Sequence, residues 1–118
     1  MKVRYTVLFN RRGRLKKSGK GTIEICCYLN NKNVKTKKYF HYTGVDIYTK
    51  EWSKAFSNIN KHNGNYEELN DRIKITIQNL EKFELKKFKE NNYFELQYFK
   101  QFDESMMKSL TFVELIED

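Results

Sequence analysis

Long apolar runs are missing from this chain: no stretch approaches the roughly 18 uninterrupted apolar residues that a membrane-spanning helix requires. The N-terminus, Met1-Lys2-Val3-Arg4-Tyr5, also lacks the apolar run of a signal peptide, so a cytoplasmic location is expected. Cysteine is scarce. Cys26 and Cys27 are adjacent, and neighbours on a strand point to opposite faces, so reduced thiols are expected rather than a bridge. With two cysteines and two well-separated histidines, His41 and His62, there is no zinc-ligand spacing, and no metal or other cofactor is expected. Catalytic signatures are absent too: no Gly-rich phosphate loop follows a strand, and no Ser or Cys nucleophile pattern occurs. Eight tyrosines are present, but a phenol titrates near pH 10 and needs a preorganised cationic pocket to act as a nucleophile. The chain is therefore expected to be non-catalytic and to take no small-molecule substrate.

The most informative scarcity is of acid in the first third. Residues 1–42 carry twelve Lys and Arg against Glu24 alone, whereas residues 43–118 carry eleven bases and fourteen acids. The net charge of +8 is therefore confined to one region. A confined excess presents a patch, and a patch of this sign faces a polyanion.

What is present reads as α+β. Val3–Phe9 alternates as a strand, with Val3, Tyr5, Val7 and Phe9 on one face. Residues 10–21 form a loop with three glycines. Thr22–Leu29 is a second strand, with Ile23, Ile25, Cys27 and Leu29 on one face and Thr22, Glu24, Cys26 and Tyr28 on the other. Asn30–Asn33 suits a tight turn, and Lys35–Tyr42 is a third strand ending at Thr43-Gly44. Short connections imply an antiparallel meander. Val45, Ile47 and Trp52 are expected core anchors in the less regular stretch beyond it.

From Asn65 to Glu90 the period becomes helical, with Leu69, Ile73, Thr76, Ile77, Leu80, Phe83 and Phe88 in a stripe roughly 140° wide. Asn65 is placed as N-cap with Glu68 in capping-box spacing, and Glu84–Lys87 is spaced for a weak surface pair. Such a helix, about 39 Å long, outruns a three-stranded sheet, so its second half packs on something else or it breaks near Asn91-Asn92. Short helical segments come next: Phe94–Phe102, then a helix start at Thr111–Ile116. The expected division is a domain over residues 1–90, a linker with a short helix over 91–110, and the opening of a further domain over 111–118.

The basic excess falls on two places. The loop supplies six cations in ten residues, Arg11, Arg12, Arg14, Lys16, Lys17 and Lys20, suited to phosphate contact. The third strand interleaves Lys35, Lys37 and Lys38 with Tyr39, His41 and Tyr42. A sheet face fits the major groove, and Arg4, Thr6, Tyr28, Lys37, Tyr39 and His41 are grouped on the expected binding face. Phe40 and His41 compete for the buried side, which leaves two parities open for that strand. Mutating Lys37 or Tyr39 is expected to shift sequence preference, and mutating Lys16 to weaken all sequences alike. Two other functions fit the same residues: a helix-mediated interaction (dimerisation) module, motivated by the unplaced Phe88, Phe94, Phe99 and Phe102, and an RNA-binding sheet.

The order of segments resembles the N-terminal arm-type DNA-binding domain of Bacteroidetes phage and conjugative-transposon integrases, members of the tyrosine recombinase family. The matching residues are Tyr5–Arg12 opening the domain, Lys17–Ile25 leading into the second strand, Tyr39–Val45 closing the third, and Lys50-Glu51-Trp52-Ser53. Asn60–Asn63, then Glu67–Asn70 opening the long helix, complete the match, and Thr111–Ile116 resembles the start of the family's core-binding domain. The chain has Tyr48-Thr49-Lys50-Glu51 where the family often has Pro, and His41 where it is often apolar. The resemblance implies a three-stranded sheet packed on the long helix, with its open face in the major groove of arm-type sites. It also implies double-stranded DNA and the recombinase's own downstream domains as partners, with a nucleoid association when DNA is bound. The family's catalytic residues lie downstream, so none is carried over to this chain.

Overall fold

The structure, a computed structural model, describes residues 3–29 and 37–104. Strands β1 (Arg4–Phe9), β2 (Gly21–Tyr28) and β3 (Lys38–Ile47) form an antiparallel sheet in the order β1-β2-β3. A small hairpin pairs β4 (Trp52–Ser53) with β5 (Asn58–Ile59), and α1 spans Tyr66–Asn91. A 3-10 turn at Leu96–Tyr98 leads into a second helix, α2, over 99–104. The α+β architecture expected from the sequence is the one observed.

Among the described residues, α1 and α2 pack on one side of the sheet. Ile23, Ile25, Cys27 and Leu29 of the β2 segment are buried with Val45 and Ile47 of β3 and with Ile73 and Leu80 of α1. Asn70 of α1 acts as a strand mimic: its Oδ1 accepts from Ile59 N at 2.9 Å and its Nδ2 donates to Ile59 O at 2.8 Å. Trp52 stacks on Phe9 with centroids 5.8 Å apart, which closes the hairpin onto β1. Gly21 is required here, because a Cβ at that position would lie 2.7 Å from the Phe9 ring.

Strand β3 does not end at Thr43-Gly44. The pairing steps from Glu24↔Tyr42 to Ile23↔Val45, so Thr43 and Gly44 form a bulge inside the strand. Gly44 takes φ +80° there, and Thr43 Oγ1 donates to Ile23 O at 2.7 Å while accepting from Val45 N at 3.1 Å. Two inserted residues preserve the alternation. Tyr39 and His41 consequently share the inward face with Val45 and Ile47, while Phe40 faces the other way.

Helix α1 runs unbroken to Asn91 and stops at Asn92, whose φ of 62° ends it in the left-handed region. Asn65 occupies the N-cap, but its side chain makes no capping bond. The second half of α1 packs on the segment from Phe94 to Phe102. Phe83 meets Phe99 and Phe102 at centroid distances of 5.9 and 5.5 Å, and Phe94 and Leu96 join the core. Phe88 is the exception to the expected apolar stripe and is exposed. Phe94, Phe99 and Phe102 are thus all placed, which removes most of the motive for a helix-mediated interaction module.

Glu84 is also not where its spacing put it. It is buried, with Oε2 accepting from Val3 N at 3.0 Å and Oε1 from the Tyr5 hydroxyl at 2.9 Å, while Lys87 pairs with Glu90 at 3.5 Å instead. On the same side, Asp103 of α2 accepts from the Tyr39 hydroxyl and lies 2.8 Å from His41 Nδ1.

Both phenols are held protonated. Burial, then the bond to Glu84, raises the Tyr5 pKa, and burial, then the bond to Asp103, raises that of Tyr39. This contribution to stability is complete below about pH 10, where an unfolded tyrosine is neutral. Above it the unfolded chain loses protons that the fold retains, so stability falls as pH rises. The melting temperature is expected to drop across pH 10–12, and less so in Tyr39→Phe; a pH-independent melt would contradict these bonds.

Candidate nucleic-acid interface

Among the described residues the helices cover only one side of the sheet, and the other side is open. Its residues form three rows across the strands: Arg4–Tyr28–Lys38, Thr6–Cys26–Phe40 and Leu8–Glu24–Tyr42, with Thr22–Asp46 beyond the bulge. Strands lie about 4.8 Å apart, so three of them span roughly 10 Å, against a major groove about 12 Å wide.

The β1–β2 loop is built rather than slack. Asn10 N donates to Thr22 O at 2.9 Å and Gly13 N to Asn10 O at 3.0 Å, making a first turn. A second is closed by Lys16 N to Lys20 O and Gly19 N to Lys16 O, both 2.8 Å, with Gly19 at φ +85°. These turns lay the loop against the open face. Arg11 reaches Glu24, and Lys16 Nζ reaches Asp46 Oδ2 at 2.6 Å and the Tyr42 hydroxyl at 3.4 Å. The bonds to Asp46 and Tyr42 raise the Lys16 pKa. Burial works to raise the Asp46 carboxyl, but bonds from Lys16 and Thr22 outweigh it and hold the carboxyl below its ordinary value. Lys20 sits 5.2 Å from the Tyr48 ring centroid. Arg12, Arg14 and Lys17 are exposed and form no ion pair among the described residues. Beside the loop is a cleft of about 330 Å³ lined by Asn10, Arg11, Arg12, Arg14, Lys16, Thr22, Glu24 and Tyr42.

The structure brings together Arg4, Tyr28 and Lys38 on the open face and Arg11, Arg12, Arg14, Lys16, Lys17 and Lys20 along the loop. Lys37 is exposed just before β3, and its carbonyl accepts from Leu29 N at 3.0 Å. The expected grouping of Tyr39 and His41 with Arg4, Thr6 and Tyr28 does not hold. Both sit on the helix side, Tyr39 against Phe99 at 5.7 Å between centroids and His41 against Phe102 at 5.9 Å. The reason is the inward parity shared with Val45 and Ile47. Lys35, the Asn30–Asn33 turn and the Thr111–Ile116 helix start lie outside the described residues.

Sequence reasoning leaves the side of Phe40 open and does not group Tyr42 and Asp46 with the open face. Counting back by twos from the core anchors Val45 and Ile47 makes His41 and Tyr39 inward only if the bulge preserves the alternation, which pairing with β2 decides. Ending the strand at Thr43 hides that count. Glu24 reads as an isolated acid in the sequence, with nothing to mark it as the partner of Arg11.

Among the described residues no helix is long and apolar enough to cross a membrane. Comparison with curated proteins and with solved structures yields no match. The family model described as the Arm DNA-binding domain, a non-catalytic DNA-binding module, matches residues 8–100, a span running from the end of β1 through the loop, the sheet and α1 into α2. The chain belongs to the arm DNA-binding domain family.

Proposed function

We propose that this chain is the arm-site-binding domain of a tyrosine recombinase, gripping double-stranded DNA with its open sheet face in the major groove. The observation that carries this reading is the sidedness of the sheet: α1 and α2 cover one face, while the other carries Arg4, Tyr28 and Lys38 beside a cation-rich loop. Phosphate contacts come from Arg12, Arg14, Lys17 and Lys20 on the loop and from the lysines leading into β3. The row Tyr28–Lys38 and its neighbours Phe40 and Tyr42 face the bases. The recombinase's core-binding and catalytic domains would follow this one, with the stretch beyond α2 leading into them. Bivalent attachment to arm and crossover sites then raises effective concentration and favours the bent recombination complex.

The test is binding to duplex DNA across a salt series. Neutralising six phosphates gives a log–log slope of about −5. The triple substitution Arg12→Ala, Arg14→Ala and Lys17→Ala is expected to flatten that slope by about 3, weakening all sequences alike. A wild-type slope near zero, or amide shifts that map to α1 rather than to Tyr28, Lys38 and Phe40, would overturn the reading.

A further inference from the structure

Arg11 is a guanidinium fixed from two sides, by a ring and by a carboxylate. Its guanidinium carbon lies 3.7 Å from the centroid of the Phe40 ring. Its Nε donates to Glu24 Oε1 at 3.1 Å and its Nη2 to Glu24 Oε2 at 3.2 Å. Glu24 and Phe40 lie on adjacent strands of the open face, one row apart, so the sheet register sets the geometry.

This arrangement is suited less to gripping a phosphate than to reading a base. On the side away from Glu24, the carboxylate offsets roughly half of the guanidinium's attraction for a phosphate, so the pair grips a phosphate less well than a free arginine would. Orientation is a different matter. Glu24 takes the side-on edge of the guanidinium, Nε and one hydrogen of Nη2, and the Phe40 ring holds its plane. The end-on edge, Nη1 with the outer hydrogen of Nη2, donates to no described residue, and Arg11 is one of the residues that line the cleft. Guanine presents O6 and N7 as adjacent acceptors in the major groove, and two parallel N–H donors match that pair. Adenine offers a donor in place of one of those acceptors. The rotamer freedom that binding would otherwise remove is already given up in the free protein.

We propose that Arg11 reads a guanine in the major groove, with Glu24 as its positioning residue and Phe40 as its platform. This rests on the sheet face being the duplex-binding surface and adds the side chain that confers sequence preference there. It also gives the single acid of the first third a role: Glu24 converts a charge into an oriented donor pair.

The test is selection by the full chain from a pool of randomised 20-base-pair duplexes, with salt titrations of Arg11→Lys and Glu24→Gln against the unselected pool and thermal melts of each variant. Wild type is expected to enrich a motif with a fixed guanine. Arg11→Lys should lose about 10- to 100-fold of preference at that position alone. Glu24→Gln frees the Arg11 charge, so it should lose the guanine preference yet bind the unselected pool more tightly, with a salt slope steeper by about one. A merely structural Glu24 would not tighten unselected binding. If Arg11→Lys weakens every sequence alike, Arg11 is a phosphate contact and the inference fails while duplex binding stands. If wild type does not bind the pool even at low salt, both fail together.

Discussion

Replacing Phe99 by alanine is expected to cost about 3–5 kcal/mol, the range for emptying a buried phenylalanine site. Phe99 is 0% exposed and meets four rings, those of Phe94 at 5.1 Å, Tyr39 at 5.7 Å, Phe83 at 5.9 Å and Tyr5 at 6.4 Å between centroids. It is the point where α2 meets β1, β3 and α1 together, so no single neighbour can relax into the space. For a domain of this size the cost converts to a fall of roughly 15 °C in melting temperature. Phe99→Leu, which refills much of the volume, should lose less than half as much. The control is Phe56→Ala: Phe56 is 80% exposed, and its removal should change stability by no more than about 0.5 kcal/mol. Thermal melts followed by circular dichroism distinguish these outcomes, and equal effects at positions 56 and 99 would show that α2 does not complete the core. By the same reasoning, a chain cut after Asn91 loses Phe94, Leu96 and Phe99 and should fail to hold the native sheet.

The second large effect is expected at Glu84. Glu84→Ala leaves Val3 N–H and the Tyr5 hydroxyl facing a buried space without an acceptor. Each stranded donor costs about 1–3 kcal/mol, and together they should lower stability by about 3 kcal/mol. Glu84→Gln keeps one carbonyl acceptor and should lose only about a third of that. A double-mutant cycle with Tyr5→Phe separates the two bonds: a coupling of about 1 kcal/mol or more is expected between positions 5 and 84. Additive losses would mean that the hydroxyl and the carboxylate do not act on each other. Because these donors tie the first strand to α1, amide exchange at Val3 should quicken in Glu84→Ala more than exchange at Ile25 in the centre of the sheet.

Much of this molecule was legible from local pattern. Alternation along 22–29 assigned both faces of β2 correctly, since a strand's side-chain period is two wherever it lies. The change to a 3.6-residue period placed α1 within one residue at each end. Charge counting located the cationic loop, because composition needs no tertiary context. Burial in the core was harder to read where polar residues take part. Glu84 looked like a surface acid because its partners, Val3 and Tyr5, lie 81 and 79 residues away along the chain.

By itself, then, the sequence determined β1, β2, the start of β3 and α1, their order, the basic surplus and the family-like pattern of segments, but not the β4–β5 hairpin or the end of β3. What it determined comes from local period, propensity or composition. The tertiary structure alone decided which way β3 faces, because that parity runs through a bulge and is set by pairing with β2 and by packing on α2. That decision moved Tyr39 and His41 to the helix side and brought Phe40 and Tyr42 to the open face. It also converted Arg11 and Glu24, thirteen residues apart, into one oriented pair over an aromatic ring. Contacts of this kind depend on strand register, which the hydrophobic pattern of one strand cannot specify without its neighbour.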